Sequence, residues 1–175
     1  MPLPGGLRAA PSGDPRAPGV RERARGGPGG RLTPEAGRVV ALDYGRRRIG
    51  VAASDPTRTI ASPHATVTAG EDPLDPPPEL LSILSELEPS RVVLGIPLHM
   101  DGSAGEMAEE AREFGRRLAD ATGLEVVEWD ERLSTESARQ AMLASGARRG
   151  RRREKGSADR LAAAVILRAY LASLG

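Results

Sequence analysis

Cysteine is absent from this 175-residue chain, which excludes disulfides and thiolate metal sites and fits a reducing cytoplasm. Aromatic residues are nearly absent too, with one Trp, two Tyr and one Phe. So few rings leave little to stack on single-stranded bases, which argues against sequence-specific single-strand reading. No apolar run reaches the length of a membrane span, and the N-terminus lacks the apolar stretch of a secretory signal. The only two histidines, His64 and His99, form no well-placed pair in the sequence, which does not suit zinc. Lysine is almost missing: 24 of the 25 basic residues are arginine. Arginine forks suit phosphate, although the same bias also fits genome composition. The net charge is only +1, because 24 acids offset the basic residues, but the two signs are unevenly spread.

What is present divides the chain in two. Residues 1–37 hold seven prolines, nine glycines and six scattered arginines, with no apolar period. They read as a disordered tail. Residues 38–175 are long enough for one domain with a sizeable core. There "RVVALD" and "RIGVAAS" flank a "YGRR" turn, so 38–54 reads as a hairpin. Residues 59–68 add a strand that Pro63 confines to an edge. Leu80, Ile83, Leu84 and Leu87 mark a helix over 79–89. "RVVLGIP" (91–97) is apolar throughout and reads as a strand covered on both faces. Ser103 with Glu106 matches a capping box opening the next helix, which Gly123 closes. A fifth strand spans 124–131, a helix spans 134–146, a basic loop spans 147–156, and Ser157 caps a last helix. Three antiparallel strands followed by helix–strand alternation predict a five-stranded mixed α/β sheet with helices on its faces.

Ligands of such sheets gather beyond the carboxyl ends of the parallel strands. Asp43 ends the first strand, and Asp130 and Glu131 end the fifth. Asp159 stands in the first turn of the last helix. If strands one and five lie close, Asp43 and Glu131 share a rim onto which Asp159 descends. Three carboxylates make an oxygen-rich site suited to Mg²⁺ or Mn²⁺. Without an ion, like charges raise one another's pKa, and a divalent cation would relieve them. One or two such ions can activate water against a phosphodiester. Taken singly, each acid has a plainer reading: a strand end, a helix start, or a surface ion pair with Arg132.

Arginines flank this rim. Arg46, Arg47 and Arg48 follow Asp43, while Arg148, Arg149, Arg151, Arg152, Arg153 and Lys155 precede Asp159. Both runs would hold a phosphate backbone, with shape rather than base sequence being read. The alternative is a pair of solvated loops. The glycine-bearing segment "GIPLHMDGSAGE" (95–106) lacks the Walker pattern, though its amides at 103–105 could meet a phosphate.

Four segments in this order and spacing resemble the YqgF/RuvX family: "LDYGRRRIGVAASD" (42–55), "VVLGIPLHMDGS" (92–103), "DERLST" (130–135) and "DRLAAAVILRAYL" (159–171). These are Holliday-junction-resolvase-like proteins, also described as nucleases of precursor 16S rRNA. The resemblance covers about residues 38–172. It implies an RNase H-like fold and metal-dependent phosphodiester hydrolysis with Mg²⁺ or Mn²⁺. It also implies a cytoplasmic role at the 5′ end of small-subunit rRNA, with structured RNA or branched DNA as partner and no membrane. It carries catalytic and metal-binding roles onto Asp43, Glu131 and Asp159. The family often has a small or hydroxyl residue where Arg46 stands and Asn where His99 stands; neither departure removes an acid. Two other readings compete. A non-cutting nucleic-acid-binding factor would use the arginines and treat the acids as structural. An ATP-binding phosphotransferase shares the acid–aromatic–glycine of "DYG" but needs two such lobes, and this chain has room for one.

Overall fold

The computed structural model describes residues 37–134 and 157–174. The expected tail (Gly37 apart), nearly all of the expected helix over 134–146 and the basic loop 147–156 lie outside the described residues.

The expected hairpin forms from β1 (Val39–Asp43) and β2 (Arg48–Ser54), and β3 (Ala61–Thr68) pairs antiparallel with β2. Helix α1 (Pro78–Leu87) leads into β4 (Arg91–Ile96), which lies parallel to β1. Helix α2 (Glu106–Thr122) leads into β5 (Val126–Asp130), parallel to β4, and α3 (Ser157–Ala172) follows near the C-terminus. The strand order is β3-β2-β1-β4-β5. The mixed sheet is therefore the one expected, with β1 central and β3 and β5 at the edges. Pro63 sits on edge strand β3, where the pairing slips from Val51↔Ala65 to Ala52↔Pro63. The slip leaves one extra residue, a bulge where a missing N–H is tolerated.

Period-two alternation sends each strand's residues to two different cores. Val40, Leu42, Ile49, Val51, Val92 and Leu94 pack on one face with Leu80 and Leu84 of α1 and Ala111, Phe114 and Leu118 of α2. Val39, Ala41, Ala52 and Val93 pack on the other with Ala163, Ile166 and Leu167 of α3. Helices on both faces explain why β1 and β4 are apolar without alternation.

The start of α2 differs from expectation. Its N-cap is Gly105, and no side chain caps it. Ser103 instead takes part in a turn headed by Asp101, whose carboxylate accepts from the Ser103 amide at 2.9 Å and hydroxyl at 2.7 Å. That local Asx turn satisfies the serine before the helix begins. At the end of α1, Glu88 takes a left-handed conformation with φ of 45°, a geometry that favours glycine. Glu88→Gly is expected to stabilise the fold by about 0.5 kcal/mol, read as a small rise in Tm.

Candidate active site

The same alternation that puts Val39 and Ala41 under α3 puts Asp43 there, at the carboxyl end of β1. Arg48 and Gly50 of β2, Gly95 of β4 and Glu131, which follows β5, lie on this side as well. Gly50 is the cross-strand partner of Asp43. Its missing side chain lets the first turn of α3 rest directly on the sheet: a Cβ there would lie 2.0 Å from the Asp159 carbonyl oxygen and 3.0 Å from the Arg160 nitrogen. Asp159 is thus brought beside Asp43 by a backbone-to-backbone contact. Gly95 plays the matching part for Glu131. A Cβ at Gly95 would lie 2.6 Å from Glu131 Oε1 and 2.5 Å from Ile166 Cδ1. Glu131 begins a 3-10 turn, Glu131–Leu133, which bends the chain after β5.

Burial and charge combine on Asp43. Its carboxyl is raised from 3.8 to about 7, first by desolvation, then by the charges of Glu131 and Asp159. Glu131 is also raised, by burial and then by Asp130. No hydrogen bond from a described residue offsets either shift. Asp159 meets Arg48, whose Nε lies 2.8 Å from Asp159 Oδ2. That oxygen is nonetheless buried without a hydrogen bond. The two observations agree once direction is considered: charges touch, but the N–H is not aimed at the oxygen.

These residues fit a hard divalent cation in kind and in charge. Three carboxylates share a rim, two are pushed toward the protonated state, and one presents a buried oxygen with no hydrogen-bond donor. Among the described residues, however, no three acid or histidine side chains converge closely enough to hold one ion as they stand.

The remaining candidates go elsewhere. Asp130 points to the α2 side of the sheet and is held well below the usual range by Arg132, which donates to it at 2.6 Å. Arg132 also donates to the carbonyls of His99 and Met100, tying the β4–α2 loop to the end of β5. His99 is exposed, and its ring lies over Gly105. Arg46 donates to Glu110 at 2.8 and 2.6 Å and contacts Glu106 at 3.1 Å, so it straps the β1–β2 turn to α2. Arg47 is exposed beside it. Arg148, Arg149, Arg151, Arg152, Arg153 and Lys155 lie outside the described residues. Tyr44 is buried against Phe114, and Trp129 meets Tyr170 edge-on in the α3 core. Gly50 and Gly95 shape the site, and the sequence marks them only as glycines inside apolar strands.

Residues 37–173 match the family described as RuvX, Holliday junction resolvase. The chain belongs to the RuvX family. Two curated relatives named "Putative pre-16S rRNA nuclease" extend the match. One from Lactococcus lactis subsp. cremoris is 41% identical over 138 residues, covering 77% of this chain and 93% of its own. One from Rhodobacter capsulatus is 41% identical over 138 residues, covering 79% of this chain and 85% of its own. Among solved structures, T. thermophilus RuvC in complex with Holliday junction substrate aligns with a TM-score of 0.50 at 18% identity, covering 78% of this chain and 95% of that one. The RNase H-like architecture is therefore shared, and RuvX membership places the chain among nuclease-type hydrolases. Among the described residues no helix is long and apolar enough to cross a membrane.

Proposed function

We propose that this chain is a Mg²⁺- or Mn²⁺-dependent endonuclease of structured RNA, acting in the cytoplasm at the 5′ end of precursor 16S rRNA. The reading rests above all on Asp43, a largely desolvated carboxylate at the carboxyl end of β1, beside Glu131 after β5 and Asp159 in the first turn of α3. A cluster of like charge is costly to fold, and a cation offsets that cost. The relatives' names supply the substrate.

Asp43, Glu131 and Asp159 would hold the cation, which supplies an activated water and relief of charge on the leaving oxygen. Asp43 would be the central member of that set, since the charges of both other acids act on it. Glu131, seated over Gly95, would complete the site or orient the attacking water. Hydrolysis joins the water oxygen to phosphorus and breaks the P–O3′ bond. It leaves a 5′-phosphate and a 3′-hydroxyl, the latter taking up a proton. Arg47 and Arg48, with the basic run 148–155, hold the flanking phosphates through residues of the 38–175 domain.

The test is incubation of the purified full chain with precursor 16S rRNA and, separately, with a four-way DNA junction, each with and without Mn²⁺. Cleavage of the RNA only with metal is expected. Cleavage of the junction alone would move the substrate to branched DNA. Salt-sensitive binding of both without any product would leave a non-cutting factor.

A further inference from the structure

We infer that Arg48 is a built-in counter-ion of the acid cluster, which holds Asp159 in the cation-free protein and must let go before the acids close on a cation. This rests on the cation-site reading above. Arg48 lies on the α3 side of β2, two residues before Gly50, and its guanidinium reaches Asp159 from the exposed start of the strand. The contact is close but unaligned: 2.8 Å between Nε and Oδ2, with Oδ2 left without a hydrogen bond. Other arginine clasps in this chain are hydrogen-bonded. Arg46 donates to both oxygens of Glu110, and Arg132 donates to Asp130.

Exposure does not separate the pairs, since Arg48 and Asp159 are 43% and 24% exposed and Arg46 and Glu110 are 48% and 22% exposed. Alignment does: a guanidinium not aimed at its partner forgoes the hydrogen bond, and a bare charge contact partly open to water holds weakly. A guanidinium brings one charge on a flexible stem, so it neutralises Asp159 without drawing in Asp43 and Glu131. That matches the failure of the three acids to converge among the described residues. A divalent cation would take Asp159 and free Arg48 at the lip, where a substrate phosphate can receive it. Cation and nucleic acid then favour each other's binding through one side chain, a reciprocal coupling.

The experiment measures Mn²⁺ binding to the full chain by calorimetry, without nucleic acid, for wild type, Arg48→Gln, Arg47→Gln and Asp43→Asn. Arg48→Gln is expected to bind Mn²⁺ several-fold more tightly, because no internal cation competes. Arg47→Gln removes the same charge from the neighbouring exposed position and is expected to change affinity less than twofold. In RNA binding, Arg48→Gln should lower the salt slope by about one phosphate contact. Unchanged or weaker Mn²⁺ affinity in Arg48→Gln overturns the inference, as does an equal gain in Arg47→Gln, which would be a general field effect. Asp43→Asn separates the two levels. If it leaves Mn²⁺ binding intact, the cation-site reading itself fails; if it abolishes binding while Arg48→Gln has no effect, only the counter-ion role is lost.

Discussion

Asp43→Asn is expected to abolish cleavage while making the metal-free protein more stable. The two effects have one cause. Asn keeps the shape of Asp but carries no charge, so it removes the proposed cation ligand and also a desolvated charge facing Glu131 and Asp159. For activity the expected fall is about 10³-fold or more, the scale seen when preorganised electrostatic groups are removed.

For stability the sign follows from proton binding. The Asp43 carboxyl sits at about 7 in the folded chain against an ordinary value of 3.8. Between those limits the folded state binds more protons than the unfolded one, so stability falls as pH rises. The favourable contribution is complete below the unfolded value and gone once pH has passed through about 7. A shift of that size corresponds to roughly 4 kcal/mol at pH 8. Thermal unfolding in a chelator should therefore show Asp43→Asn melting above wild type at pH 8, with the gap narrowing toward pH 4. Added Mn²⁺ should raise the wild-type Tm and leave the variant nearly unmoved. An Asp43→Asn protein that cuts at full rate would take Asp43 out of the reaction. One that melts below wild type at pH 8 would show an ordinary structural aspartate.

The positions of the acids were legible because they depend on patterns the chain carries locally. Alternation and apolar runs locate β1, β4 and the end of β5, and topology rules then place strand ends at one rim. What those patterns could not show is contact between distant segments. Arg46 reads as one of three phosphate-seeking arginines, yet its partner Glu110 lies 64 residues away on α2. Arg48 reads the same way and meets Asp159 instead. Ser103 and Glu106 have the spacing of a capping box, but Asp101 competes for the serine and the helix starts at Glu106. Tyr44 and Trp129 flank the site in sequence, while their rings belong to two opposite cores. In each case a tertiary or neighbouring partner outbids the local signal.

Gly50 is where that tertiary information is most concentrated, and Gly50→Ala is expected to damage stability most among single methyl additions at the site. The added carbon would stand 2.0 Å from the carbonyl oxygen and 2.4 Å from the carbonyl carbon of Asp159. Both are backbone atoms in the first turn of α3, so no rotamer change relieves the overlap. The helix must lift away from β2, and with it go the contacts of Ala163, Ile166 and Leu167 with the sheet. Overpacking against backbone is expected to cost about 3 kcal/mol or more, seen as a Tm loss of roughly 10 °C. Gly95→Ala provides the contrast. Its new carbon would meet Ile166 Cδ1 and Glu131 Oε1, the ends of side chains that can turn aside. It should keep most of its stability but lose cleavage, because Glu131 is pushed off its seat. Melting curves and single-turnover cleavage on both variants distinguish the two glycines. A Gly50→Ala protein with wild-type Tm would mean that α3 does not rest on β2 at this point, and the route by which Asp159 reaches Asp43 would have to be different.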